Sequence, residues 1–365
     1  MEQVRKTPLH QQHIDLGGKM VNFFGWELPV QYSGIIDEVK SVRNTAGIFD
    51  VSHMGEFMVE GEGSLEFLQH MLTNNVAKIK ENGVQYTMMC NEQGGVVDDL
   101  LVYLLSKNRY LLVVNASNLE KDFNWLNKHK PENVKLTNVS DQIAQIALQG
   151  PKAQEVLQKL TDFDLGEIKF FRHRENLNID GHEVLVSRTG YTGEDGFEIY
   201  GQHKSITSLW DRILSVGEKE VVPAGLGSRD TLRFEARLPL YGNEITEEIS
   251  PIEAGLGFAV KFKKPEYKGM KVLEDHKQNP PRKTVGFKMK GKGIPRSQYK
   301  VLSQDEEELG FVTTGAFSPT LDETIGTALV SDKDLDIGDE ILVAVRKRRI
   351  PAEIISLPFL KKEDK

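Results

Sequence analysis

One order of elements occurs twice in the chain, and this repeat restricts the fold more than any other feature. In the first copy a strand at 56–61 is followed by a short helix from Ser64 to Met71, with Leu65, Leu68, Met71 and Leu72 on one side. Strands are then expected at 85–90, 96–105 and 109–115, and a helix at 119–129 carrying Phe123, Trp125 and Leu126. In the second copy Ala144 to Gly150 reads as a strand, and Pro151 suits the first turn of a helix running to Leu160. Strands at 177–179, 183–188 and 197–200 follow, then a helix at 206–216 with Leu209, Trp210, Ile213 and Leu214. The copies share order, not sequence. They predict two pseudo-equivalent α+β subdomains, at about 53–140 and 141–222, with mainly antiparallel sheets. Hairpins with so few helices argue against a doubly wound parallel sheet.

A chain of 365 residues is too long for one ordinary core. Residues 1–52 and 223–275 complete the repeated region, giving a first region of 1–275. Within it, Phe49 to Gly55 reads as a short strand closing on Ser52 and His53, and Arg229 to Arg237 as a helix. In that helix Arg229, Arg233 and Arg237 recur at i, i+4 and i+8. Lysines 261, 263 and 264, Pro265, and the later Lys277–Lys283 run with Pro280-Pro281 read as a linker. From 284 to 365 short strands alternate with turns, which predicts a C-terminal antiparallel β-barrel or jelly-roll-like domain.

The stretch Asn91-Glu92-Gln93-Gly94-Gly95-Val96-Val97-Asp98-Asp99-Leu100 places two carboxylates in an apolar strand. Aspartate is depleted in strands and costly to bury unpaired. Successive side chains point to opposite faces, so one of the two faces inward. That acid either binds or deprotonates a ligand, or it caps a turn or pairs with an internal Arg. A second stretch, Ser187 to Tyr200, carries Gly190, Gly193 and Gly196 around Tyr191 and leads into Glu198. Tyr191 is suited to stack on a flat heterocycle. Glu198 is suited to accept a bidentate pair from an amino-pyrimidine or guanidine edge. The plainer reading is a Gly-rich hairpin with solvated acids. The repeat makes this loop the counterpart of Gly94–Asp99, the two facing a shared crevice. Arg229 either holds a ligand carboxylate there or forms a solvated pair with Asp230.

Other chemistry is poorly supported. A net charge of −8 disfavours a nucleic-acid binder, and a lone Cys90 excludes a disulfide framework or a Cys-based zinc site. His10 and His13 lack a third metal ligand, and His53 beside Ser52 has no nucleophile elbow around it. Gly61-Glu62-Gly63 is no dinucleotide fingerprint, and there is no Walker-type loop. Arg346 to Arg349 reads as a solvated turn or as a contact for an acidic partner or polyanionic tail. Without an apolar leader or a membrane-length apolar run, the expectation is a cytoplasmic protein.

Nine stretches belong together: Thr7-Pro8-Leu9, Phe24-Gly25-Trp26-Glu27-Leu28-Pro29, Gly47 to Met54, Gly94 to Leu100, Gln149-Gly150-Pro151, Arg188 to Gly196, Gly225 to Asp230, Leu240 to Glu244 and Ser318 to Leu321. Taken together, they resemble the glycine cleavage T-protein family of folate-dependent aminomethyltransferases. They stand in family order from residue 7 to 321. The resemblance implies a folate-binding region of two related α+β subdomains, within 1–275, and a C-terminal barrel within 284–365. It implies transfer of a one-carbon unit from an aminomethyl group on the dihydrolipoyl arm of the H-protein to tetrahydrofolate. Ammonia is released and 5,10-methylenetetrahydrofolate forms. It makes Asp99 the key acid/base, in contact with the pterin. Met54, Tyr86, Asn115 and Tyr191 match positions lining the folate pocket, Glu198 the acid that grips the pterin, and Arg229 the arginine near the glutamate end. Asp98, pointing the other way, keeps a structural part. No metal, flavin, nucleic acid or membrane is implied. Ser228 departs from the more usual Ala, and Phe171 from the Tyr of some relatives. A folate module of a flavin-linked oxidoreductase, a folate-binding iron–sulfur assembly protein and a folate-binding regulator without turnover are the rival readings. The chain lacks a flavin fingerprint and the Lys-Gly-Cys-Tyr-like motif of the second.

Overall fold

The computed structural model describes residues 4–332 and 334–360. Residues 361–365, the end of the expected barrel region, and residues 1–3 lie outside the described residues. The chain forms two compact units, one of residues up to Leu68, Val76–Tyr86 and Leu100–Leu232, the other of Gln69–Asn75, Thr87–Asp99 and Arg233 onward.

The repeat is present as two sheets of matching strand order. In the first copy the strands run Val84–Cys90, Val96–Ser106, Arg109–Val114, Gly55–Glu60, with Lys135–Asn138 beyond. In the second they run His173–Ile179, His182–Ser187, Gly196–Gly201, Ala144–Gln149, then Ala46–Asp50 and Val221–Pro223. Each copy is thus a meander of three strands whose last member pairs with the strand that opened the copy. The register puts Ala147 between Glu198 and Phe49, and Gln145 opposite Tyr200.

In the first unit the sheet of the second copy buries one face, with Ile146, Leu148, Phe197 and Ile199, against the helices Ala153–Gln158 and His203–Gly217, including Trp210. Its other face contributes Leu185 and Tyr200 to a layer shared with Tyr103, Leu111, Val113 and Met58 of the first-copy strands. The N-terminal segment is tied into this unit rather than trailing from it. Thr7 Oγ1 donates to Asp50 Oδ2 at 2.6 Å, His13 Nε2 lies 2.8 Å from the same oxygen, and Tyr32 Oη lies 2.8 Å from His13 Nδ1.

In the second unit the strands Lys283–Met289, Glu323–Val330, Glu308–Ser318, Lys300–Leu302, Glu340–Val345 and Arg348–Ile355 close into a barrel. Closure removes the open sheet edge that would template aggregation. Alternate residues such as Val285, Phe287, Val312, Ala328 and Val343 fill the interior. Gly326 lies flat against the Phe287 ring: a Cβ there would come 2.1 Å from Phe287 Cζ. In the same unit Arg233 Nη1 donates to Glu244 Oε2 at 2.8 Å, and Glu235 accepts from Ser318 Oγ at 2.6 Å and Thr320 Oγ1 at 2.7 Å.

Four expectations are corrected. The stretch read as a linker contains a helix, Met270–Gln278, whose charged sequence buries Leu273 and gives little apolar periodicity. The strand expected over Phe49 to Gly55 is two strands, Ala46–Asp50 and Gly55–Glu60, with Ser52 and His53 in the turn between. The helix expected over Arg229 to Arg237 runs Leu226–Glu235, and Arg237 has φ +58° beyond its end. The Gly94–Gly95 turn and the 188–195 loop are not topological counterparts. The first precedes the middle strand of its meander and the second follows it. The repeat preserves the order of strands but not which turn of the meander carries the glycines. The Gly pair has its own local cause: Gly94 has φ +82°, and a Cβ on Gly95 would sit 1.8 Å from Glu247 O.

Candidate functional site

In the strand Gly196–Gly201 alternation separates Phe197 and Ile199, which enter the core beneath the helices, from Glu198 and Tyr200 on the other face. Glu198 is only 7% exposed. Thr189 Oγ1 donates to its Oε2, and Gln145 Nε2 donates to Oε1 at 3.2 Å. Behind these lies a chain of hydroxyls. Ser187 Oγ is 2.6 Å from Thr189 Oγ1, and Tyr103 Oη is 3.1 Å from Ser187 Oγ and 2.8 Å from Tyr200 Oη. Burial pushes the Glu198 carboxyl up from the usual range, while Thr189, the charge of Arg229 and Tyr200 pull it down.

The loop that carries Tyr191 is braced at several points. Arg188 forms a fork with Asp195, and Arg43 Nη1 reaches both Thr192 O at 2.7 Å and Glu194 Oε1 at 2.8 Å. Gln149 Nε2 donates to Thr189 O, and Thr192 Oγ1 donates to Gln149 Oε1. A Cβ on Gly190 would come within 1.8 Å of that Gln149 oxygen, so the loop follows this path only with glycine there. Tyr191 is thereby presented to Arg229, whose guanidinium lies 4.6 Å from the ring centroid.

Arg229 follows the first turn of the helix Leu226–Glu235, and Glu38 sets that turn. Its carboxylate, fully buried, accepts from Gly225 N at 2.9 Å, Ser228 Oγ at 2.8 Å and Tyr32 N at 2.5 Å. An anion at a helix N-terminus satisfies its orphan donors and its dipole. His53, buried near the same guanidinium, is lowered to about 4, first by burial and then by Arg229, against the opposing charge of Asp50. It is therefore neutral at physiological pH.

Of the residues expected from the sequence, Tyr191, Glu198 and Arg229 are brought together in the first unit. Met54 packs in that unit against both the Val39–Phe49 cluster and the layer containing Tyr200. Tyr86 is half-buried on the strand Val84–Cys90, and Asn115 is half-buried where the strand Arg109–Val114 ends. Asp99 is half-buried on the strand Val96–Ser106, and its residue position belongs to the second unit. Alternation puts it on the strand face of Leu101 and Tyr103, while Asp98, fully buried, takes the other face. The sequence reading missed Gln145, Tyr103, Tyr200 and Glu38. Tyr200 was within reach, two residues from Glu198 on the same face; the others act through partners far away in sequence. Among the described residues no group of three or more His, Cys, Asp or Glu could hold a metal ion, and no helix is long and apolar enough to cross a membrane.

The arrangement matches known proteins along its whole length. Residues 9–264 match the GCVT N-terminal domain, and residues 282–361 the glycine cleavage T-protein C-terminal barrel domain. The aminomethyltransferase of Halalkalibacterium halodurans is 52% identical over 364 residues, covering 99% of this chain and 100% of that protein. That of a Geobacillus species is 54% identical over 362 residues, with 98% and 99% covered. The crystal structure of glycine cleavage system aminomethyltransferase T from Bartonella henselae superposes with a TM-score of 0.91 at 33% identity, over 98% of each chain. The chain belongs to the glycine cleavage T-protein family and is an enzyme of the aminomethyltransferase class.

Proposed function

We propose that the protein takes the aminomethyl group held as a thioether on the dihydrolipoyl arm of the H-protein and passes its carbon to tetrahydrofolate. Ammonia is released, the thiol is restored and 5,10-methylenetetrahydrofolate is the product. Residues 1–275 serve as the folate-binding region and 284–365 as the barrel domain. The observation that carries this reading is the buried Glu198 with Arg229 beside it over the Tyr191 ring. A carboxyl group at this depth matches the paired N–H groups of a pterin edge, a flat ring can stack on Tyr191, and Arg229 suits the glutamate carboxylates. Met54, Tyr86 and Asn115 line the pocket in this reading.

Loss of ammonia from S–CH2–NH3+ leaves a thionium-like carbon, S=CH2+, that sulfur stabilises. A tetrahydrofolate nitrogen attacks that carbon, forming the first C–N bond; the C–S bond then breaks with its electron pair leaving on sulfur, which is protonated to the thiol, and the second folate nitrogen bonds the resulting N-methylene iminium and deprotonates to close the 5,10-bridge. The first nitrogen gives up its proton on attack. Asp99 is the acceptor for that proton and steadies the developing positive charge. Positioning of folate against the incoming arm supplies much of the remaining rate. The test is an assay with aminomethylated H-protein and tetrahydrofolate. Ammonia release is expected, and Asp99→Asn should slow it roughly 10²–10⁴-fold with tetrahydrofolate still bound. No ammonia from the wild-type protein would reject the function; near-wild-type turnover in the variant would reject the part of Asp99.

A further inference from the structure

The layer between the two repeated sheets of the first unit holds a second buried acid. Glu56 is 1% exposed, and neither carboxyl oxygen has a hydrogen-bond partner among the described residues. On the strand Gly55–Glu60 it shares a face with Met58, which packs against the cluster that includes Tyr103, Val113 and Tyr200. Its cross-strand neighbour is Val113. From the opposite sheet its charge would press on the Tyr200 hydroxyl, the same hydroxyl that Glu198 presses on. Gln145, cross-strand from Tyr200, donates its Nε2 to Glu198 and leaves Oε1 without a partner among the described residues.

The two acids of this layer are therefore provided for unequally. Glu198 has Thr189 and Gln145 as donors and the Arg229 charge nearby. Glu56 has none of these. Two carboxylates sharing a dry layer do not both ionise, and the one without donors keeps its proton. Burial accordingly drives the Glu56 carboxyl well above its usual range. In that form it carries an O–H, the kind of group that Gln145 Oε1 lacks.

We propose that Glu56 is a positioning residue for heterocycle binding: as a neutral carboxylic acid it leaves Glu198 the single negative charge of the layer and holds Gln145 turned toward Glu198. This rests on the reading of Glu198 as the group that grips the heterocycle. Ionised, Glu56 would compete for the donors that Glu198 uses. Replaced by an apolar side chain, it would leave the Gln145 amide free to turn its Nε2 away.

The test uses the full-length enzyme with aminomethylated H-protein and tetrahydrofolate. Glu56→Leu should raise KM for tetrahydrofolate about tenfold with kcat nearly unchanged, and should not lower the melting temperature. Glu56→Gln, whose amide is neutral and can donate, should recover most of that loss. In infrared spectra the wild-type protein should show a protonated-carboxyl C=O band at neutral pH that Glu56→Gln lacks. An unchanged KM in Glu56→Leu, failure of a folded Glu56→Gln to recover it, or persistence of the band in Glu56→Gln overturns the proposal. Glu198→Gln is measured alongside. Impaired tetrahydrofolate binding there with a normal Glu56→Leu rejects the part of Glu56 alone, whereas normal binding in Glu198→Gln rejects the underlying reading of the site.

Discussion

Three buried acids of the second unit and Glu56 of the inter-sheet layer are treated in opposite ways. In the second unit Glu244 accepts from Arg233 and Leu240 N, with Thr314 also donating to it, and Glu235 accepts from Ser318, Thr320 N and Thr320 Oγ1. Glu253 holds Arg282 Nε at 2.6 Å and Ser250 N at 2.8 Å. In the layer of the first unit Glu56 has no partner among the described residues, and Gln145 is half satisfied. Every lone pair filled by the protein itself marks a joint whose purpose is to stay shut. Lone pairs left over beside a buried carboxylate mark a place whose complement arrives from outside, or one where a proton is kept in store.

Breaking a joint should cost stability, and the largest effect is expected there. Arg233→Met leaves Glu244 buried without its cation and should lower unfolding free energy by about 3–5 kcal/mol in urea titrations. A loss below about 1 kcal/mol would erase the contrast between the two regions. Glu198→Gln should do the reverse. It should weaken tetrahydrofolate binding by about 2 kcal/mol, roughly thirty-fold in Kd, without loss of stability, read by titration calorimetry and thermal melts.

The two kinds of acid should also answer pH with opposite sign. The ordinary glutamate value is 4.5. Burial acts to raise Glu253, but Arg282 and Ser250 hold it below that value. Its contribution to stability is therefore present above pH 4.5 and is lost as pH falls through the lowered folded value; Glu253→Gln should flatten that acid limb. Glu56 is raised instead, so it penalises folding increasingly as pH climbs above 4.5, and Glu56→Gln should be relatively more stable at pH 8 than at pH 4. Parallel rather than opposed slopes in urea series at the two pH values would remove the distinction. The smallest effect is expected at Ser228→Ala. It deletes the hydroxyl on Glu38 and should cost about 1 kcal/mol, with a small rise in the tetrahydrofolate Kd through Arg229.

The sequence makes the repeat legible because its strands and helices differ in period and are set apart by glycine and proline. The three side chains that meet at the site are legible for a related reason: an acid in an apolar strand, an aromatic on a glycine-rich loop and an arginine at a helix start each break the local pattern. Gln145, Tyr103 and Glu38 break no pattern. A glutamine in a strand or a glutamate in the first turn of a helix is unremarked until its partner comes into view, and the partners here, Glu198, Ser187 and Ser228, are distant in sequence. Glu56 was visible as an acid in a strand, like Asp98 and Asp99, yet its lack of partners belongs to packing alone. The helix Met270–Gln278 was hidden for the opposite reason, since a mostly solvated helix needs no apolar stripe.

The place of Ala46–Asp50 bears on how the chain is made. This strand pairs on one side with Ala144–Gln149 and on the other with Val221–Pro223. It leaves the ribosome long before either partner, and Ile48 and Phe49, fully covered in the finished protein, have no sheet to join until the second copy follows. The sheet that presents Glu198 is therefore a late, high-contact-order assembly, completed only when Val221–Pro223 emerges. Nascent chains stalled before that point should bind chaperones through the Ala46–Asp50 segment, and released chains should not.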